Sequence, residues 1–193
     1  MGPVLEDRSG GAMRLKSTAY LLLGMLRMGV SSGYAIKRTA DASTHFFWPT
    51  SLAQVYPQLA ELEGRGLVSR RDDHHGARVR SAYELTSEGE AMLQTWLRSD
   101  REVAPQMRDE GLLRMFFADA LPEEEQLALV GRLRRRAQRF EAVMRREGLV
   151  AAKAVREHQG LRFPEIAARF GADLWSFCDD WLANLESELE ADA

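Results

Sequence analysis

Apolar residues recur every three or four positions through most of this chain, the mark of helices with one buried face. Ala19, Leu22, Leu23 and Leu26 form the first such stripe, with Ser17 placed to cap it and Gly29 to close it. Ser31 or Ser32 caps a second helix over 33–42, in which Tyr34, Ile36 and Ala40 are the apolar candidates. Residues 41–48 read as a loop ending in the aromatics Phe46, Phe47 and Trp48. The third stripe is Leu52, Val55, Leu59 and Leu62, and Ser51, Gln54, Gln58 and Glu61 repeat its intervals on another face. Thr50 or Ser51 starts this helix, and Gly64 or Gly66 supplies a left-handed end. Pro57 lies inside it, where it removes a hydrogen bond and crowds the preceding turn. Either the helix kinks there or its first turn, before Tyr56, is irregular.

The period then changes. Residues 67–71 and 79–85 are short runs on either side of the polar 72–76, which reads as a hairpin. Arg70, Arg71, Arg78 and Arg80 fall toward its tip. A helix followed directly by a basic hairpin is a winged helix. Thr86 or Ser87 starts a fourth helix, with Ser87 and Glu90 spaced as a capping box and Leu93, Trp96 and Leu97 on its apolar face. Residues 99–107 are the domain boundary.

Beyond the boundary the pattern is helical. Leu112, Leu113, Phe116 and Phe117 lie within 109–118. Pro122 followed by Glu123, Glu124 and Glu125 suits the positive end of a helix dipole, and Leu127, Val130, Leu133, Ala137, Phe140 and Met144 then mark one face. Gly148 and Gly160 interrupt, and Pro164 starts the last helix. Ile166, Phe170, Leu174, Phe177, Trp181 and Leu185 run down one stripe of it, and Trp175, Cys178, Leu182 and Leu189 form a second. That width exceeds what one intramolecular partner needs, so Phe170, Phe177, Trp181 and Leu185 are read as dimer contacts. The expected fold is mainly α with a small β-wing: an extension over 1–13, a winged helix-turn-helix domain over 14–98, and an α-helical dimerisation domain over 105–190.

Composition adds constraints. The chain has 193 residues and a net charge of −3. The charge divides unevenly, +3 over residues 13–99 and −5 over 100–193. A balance of +3 is weak for a DNA binder, so the placement of its basic groups has to matter more than their sum. No apolar run is long enough for a membrane span, and the N-terminus has no secretory pattern. The one cysteine, Cys178, cannot form an internal disulfide, which fits a reducing cytoplasm; it reads as core or, less simply, as a redox-sensing thiol. His45, His74, His75 and His158 have no metal-binding spacing, and neither a phosphate loop nor a nucleophile elbow is present. No enzyme activity, cofactor or metal is expected. Arg132, Arg134, Arg135, Arg136 and Arg139 read as the wet face of a helix, with a second DNA-contact patch as the alternative.

The DNA reading rests on geometry. Small polar side chains at a helix N-terminus suit base edges, and glutamine can bond adenine in two places, so Ser51 and Gln54 are the groove candidates. Tyr56 either reaches a phosphate or packs. Arg78 and Arg80 on the wing suit backbone or minor-groove contact. Lys16 and Ser17, at the start of the first helix, are candidates for a phosphate. Lys37, beside Arg38, is either a phosphate contact or a solvated face.

The motif SxxxVYPxLxxLExxGLV, from Ser51 to Val68, followed by a basic hairpin and YELTxEG from Tyr83 to Gly89, resembles the PadR family of transcriptional regulators. STAYLLLGMLRMGVSSGYAIK, from Ser17 to Lys37, looks like that family's first two helices, and FFWPTS, from Phe46 to Ser51, is closer to its branch with a long helical C-terminal domain. The resemblance is firm over about 15–98, accounts for Pro57, and favours contact by Tyr56. It implies a cytoplasmic homodimer that binds double-stranded DNA and represses or, in some branches, activates transcription. It also implies release by small molecules or partner signals. Phe46, Phe47, Trp48, Trp96 and Trp175 are then candidates to stack on a small aromatic effector, unless they are only core. The rival reading is a winged helix that binds protein.

Overall fold

The structure, a computed structural model, describes residues 15–75, 78–100 and 107–192; for 72–75, 78–80 and 192 it describes the backbone alone. The expected extension 1–13 and most of the boundary 99–107 lie outside the described residues. Two compact units emerge, one of residues up to Arg38 with Thr50–Asp100, the other of Thr39–Pro49 with the chain beyond Asp100. The contiguous 14–98 read from the sequence therefore has an exception, since 39–49 packs with the C-terminal helices.

The first unit contains α1 (Ser17–Arg27), most of α2 (Gly33–Ala42), α3 (Leu52–Gly64), strands β1 (Val68–His75) and β2 (Arg78–Leu85), and α4 (Ser87–Leu97). Its centre follows the helical spacing: Leu22, Leu23, Ile36, Val55, Leu59 and Leu62 are fully buried, while Leu52, read as the start of the third stripe, is 38% exposed. Tyr34, an apolar candidate of α2, is instead 64% exposed. Ser17 is the first residue of α1 rather than its cap, which falls at Lys16 without a side-chain bond. Ser32 Oγ caps α2 by accepting from the Ala35 N–H at 3.2 Å. Gly66, at φ +70°, ends α3, while Gly64 stays helical. Helix α3 continues through Pro57, and its first turn is regular, closed by Val55 N–H donating to Ser51 C=O at 3.0 Å. The loop expected over 41–48 is shorter, because α2 reaches Ala42 and Thr44–Phe46 form a 3-10 turn.

The wing is longer than the sequence pattern suggested. Strand pairing runs from Val68↔Leu85 to His75↔Arg78, so 72–75, read as turn, are strand. Its base is tied down at two points: Tyr83 N–H donates to Ser31 C=O at 2.6 Å, and Thr86 Oγ1–H donates to Gly66 C=O at 2.8 Å. The same Thr86 oxygen caps α4, accepting from Gly89 N–H at 3.1 Å. The Ser87–Glu90 box does not form; Ser87 bonds Glu88 instead. Gly89 is required by packing, since a Cβ there would stand 2.0 Å from the Leu67 carbonyl oxygen.

The second unit holds α5 (Glu110–Phe116), α6 (Glu123–Val143), α7 (Leu149–Gln159) and α8 (Phe163–Asp192). Helices α6 and α8 run antiparallel, as Arg134 with Glu186 at one end and Arg145 with Asp173 at the other require. Between them Val130, Ala137 and Leu182 form a core joined by Leu133, Trp175, Cys178, Leu185 and Leu189. Leu185 thus packs inward, not with the expected dimer stripe. Gly148 does not interrupt the chain: Met144–Gly148 is a π turn linking α6 directly to α7, which ends at the left-handed Gly160. Among the described residues no helix is long and apolar enough to cross a membrane, and no cluster of donors could hold a metal.

Candidate nucleic-acid interface

The N-terminal turn of α3 presents the most clearly built polar surface of the first unit. Val55, Leu59 and Leu62 hold the helix from one side, leaving Ser51, Leu52, Ala53, Gln54, Tyr56 and Pro57 exposed on the other. Ser51 and Gln54 form a capping box. Gln54 Oε1 accepts from Ser51 N–H at 3.0 Å and from Ser51 Oγ–H at 3.2 Å, which fixes the rotamer of a side chain that would otherwise sample several. The Tyr56 ring lies against α2 at Gly33, where an added Cβ would come within 2.7 Å of Cε1. Tyr56 remains 48% exposed, so packing and outward contact are both met by one residue.

The two strands carry the basic groups. Arg78 pairs with His75 and Arg80 with Asp73 at the distal end of the hairpin; their side chains lie outside the described residues. Arg70 and Arg71 sit midway, opposite Tyr83 and Ala82, rather than at the tip. Arg71 is engaged by Glu84 at 2.8 Å. Lys16 and Ser17 are exposed at the start of α1, while Lys37 is half-buried and already in contact with a neighbour.

The aromatic candidates divide between the two units. Trp96 stacks flat on Tyr20 of α1, rings 4.7 Å apart, within the first unit. In the second unit Trp175 stacks on Phe140 at 4.8 Å, Phe46 meets the Phe140 edge at 6.4 Å, and the Arg136 guanidinium lies 5.4 Å from the Trp175 ring. Phe46 and Trp175 are therefore parts of a packed cluster, Trp48 is half-buried, and Phe47 is 64% exposed. Cys178 sits beside this cluster, and burial pushes its thiol pKa up, away from the reactive thiolate. The arginine run of α6 is not a single wet face. Arg134 bonds Asp179 and Glu186, and Arg136 pairs with Asp109; Arg132, Arg135 and Arg139 are exposed. Sequence reasoning missed these three pairs because their partners lie 27 to 52 positions away.

Of the proposed dimer contacts, Phe170 is 69%, Phe177 63% and Trp181 45% exposed on one side of α8. Helix α5 adds Leu112, Leu113 and Phe116, with Phe117 just after it, all at least half exposed.

Residues 22–95 match the transcriptional regulator PadR-like family. A Bacillus subtilis (strain 168) relative, "Negative transcriptional regulator PadR", is 31% identical over 107 residues, 55% of this chain and 59% of the relative. The match thus spans less than two thirds of that protein. A crystal structure of Bacillus subtilis PadR in complex with operator DNA superposes with a TM-score of 0.79 at 21% identity, covering 90% of this chain and 99% of that one. The same protein in complex with p-coumaric acid gives 0.70 at 22% identity, over 89% and 94%. Family match and winged-helix geometry agree on the same residues, so that residues 22–95 are similar to the PadR-like family of transcriptional regulators.

Proposed function

We propose that this protein is a sequence-specific DNA-binding regulator of transcription, a cytoplasmic homodimer that represses from a pseudo-palindromic operator. The observation that carries the reading is the first turn of α3: exposed, polar, locked by its own cap, and followed by a two-stranded basic wing. The relative named as a negative transcriptional regulator favours repression, and the operator complex of Bacillus subtilis PadR favours this fold as the DNA-binding part. Ser51 and Gln54 enter the major groove. Tyr56, Lys16, Ser17 and Lys37 meet phosphates, and Arg78 and Arg80 follow the backbone or the minor groove. Footprinting the purified chain on the DNA upstream of its own coding sequence tests the proposal. Two protected half-sites spaced by about 34 Å or a multiple are expected. No affinity for any duplex at low salt would instead favour a winged helix that binds protein.

A second reading adds an aromatic effector, supported by the p-coumaric acid complex of Bacillus subtilis PadR and by the half-exposed ring of Trp96. Trp96 also has a neighbour, stacking on Tyr20, but it and Phe47 keep large exposed surfaces while Phe46 and Trp175 are half-buried, so Trp96 and Phe47 are the more accessible members of the original set. Such a ligand regulates only if it binds two conformations unequally. Titrating the intrinsic tryptophan fluorescence with p-coumaric acid, with and without bound DNA, tests it. Saturable quenching that disappears in Trp96→Phe and weakens DNA binding is expected; quenching that leaves DNA affinity unchanged rules out a switch.

A further inference from the structure

The capping box of α3 decides what Gln54 can read. A glutamine that recognises adenine does so with both ends of its amide: the oxygen accepts from the adenine N6 amine while the nitrogen donates to N7. In this protein the oxygen end is occupied. Gln54 Oε1 lies 3.0 Å from the Ser51 backbone nitrogen and 3.2 Å from Ser51 Oγ. The assignment of oxygen and nitrogen in this amide is not arbitrary, because a backbone N–H can only donate, so the atom facing it must be the acceptor. Turning the oxygen to a base would strip the Ser51 N–H of its partner at the helix start, a loss comparable in size to what the second base contact would supply.

We infer that Gln54 is a specificity-determining residue that acts as a donor only, through Nε2, and selects keto bases over amino bases. Guanine offers O6 and N7 as adjacent acceptors, and thymine offers O4. Adenine keeps the N7 acceptor but sets its N6 amine, a donor, where guanine has the O6 acceptor, and cytosine presents only the N4 amine, so Nε2 meets an opposing donor on both and no acceptor at all on cytosine. Leu52 and Ala53, exposed on either side of Ser51 and Gln54 along the same turn, give the thymine methyl group an apolar neighbour. The inference rests on α3 being the groove-reading helix. It replaces the two-ended adenine contact suggested by the residue type alone.

The test uses the full chain and a randomised duplex library. Selection with the wild type gives a consensus, and the same selection with Gln54→Ala marks the position whose preference is lost. At that position the wild type should favour guanine or thymine, with adenine and cytosine bound about tenfold more weakly or worse. Gln54→Glu keeps an oxygen for the Ser51 amide, and so keeps the cap, but replaces the donor by an acceptor. It should move the preference to cytosine or adenine. Gln54→Glu also guards against a cap lost in Gln54→Ala being mistaken for lost readout. Adenine preferred by the wild type, with affinity falling when adenine is replaced by purine lacking the N6 amine, would overturn the inference. So would a base preference that survives Gln54→Ala. A wild-type chain that enriches no sequence brings down the DNA-binding reading as well, an outcome visible before any variant is made.

Discussion

Asp109 serves two partners at once. Its Oδ1 accepts from the backbone N–H groups of Gly111 at 2.7 Å and Leu112 at 3.1 Å, capping α5. The same carboxylate takes both terminal nitrogens of Arg136, the guanidinium that lies over Trp175. The Arg136 hydrogen bond holds the Asp109 pKa below the usual carboxylate range, against the opposing effect of burial. Because the folded-state pKa is depressed, the pair stabilises the protein above the pKa of an unfolded aspartate, ~3.9, and that contribution is lost as pH falls through the lower folded value. Asparagine caps a helix about as well as aspartate, so Asp109→Asn isolates the charge from the cap. The variant should lose about 1–2 kcal/mol at neutral pH in urea denaturation, and the gap should narrow steadily in acid. A gap of equal size at both ends of the pH range would show that the charge is not its source.

At the scale of elements, what was legible was what is local. Leu22, Val55, Leu59 and Leu62 recur at helical spacing and are buried, because the period of a helix is written in neighbouring residues. The cap at Ser51 was legible for the same reason. What was not legible is set by residues far apart. Polar strand residues 72–75 look like a turn until their partners across the hairpin are known, and the role of Gly89 depends on the Leu67 carbonyl. Arg134 and Arg136 looked like two more cations on a wet helix until α8 and Asp109 came to meet them. In the candidate interface the polar turn was readable from sequence. The direction of the Gln54 amide was not, because it depends on which atom the cap occupies. The longer wing also changes what its arginines can do. Eight paired positions extend about 25 Å, and Arg78 and Arg80 are paired two positions apart near the far end. Arg78→Ala and Arg80→Ala should each weaken binding to specific and random duplexes alike and reduce the slope of log affinity against log salt by about one. An unchanged salt slope in both variants would remove the wing from the interface.

For the whole molecule the open question is what covers α8. A soluble monomer seldom leaves a continuous apolar face in water. Here Phe163, Ile166, Phe170, Leu174, Phe177 and Trp181 follow one another along a single side of a 30-residue helix, all exposed in the single chain. The adjoining side is already satisfied, since Trp175, Cys178, Leu182, Leu185 and Leu189 pack against α6. This asymmetry separates association from folding and gives the dimer proposal a sharp test. Replacing both Phe170 and Phe177 by glutamate should leave helix content and urea stability of the monomer near normal. It should raise the dimer dissociation constant by at least about a hundredfold, because each buried aromatic contributes about 1.5–3 kcal/mol and each 1.4 kcal/mol is tenfold. Leu185→Ala should do the reverse, costing about 2–4 kcal/mol of stability by opening a cavity while leaving the folded protein dimeric. Operator affinity should fall with the first variant, because two half-sites held by one dimer gain from the effective concentration of the second wing and two separate monomers do not. Sedimentation velocity across micromolar concentrations reads the oligomeric state of both variants, and circular dichroism in a urea titration reads their helix content and stability. A Phe170→Glu, Phe177→Glu double variant that still sediments as a dimer would place the subunit contact elsewhere, with the exposed Leu112, Leu113 and Phe116 of α5 the next surface to change.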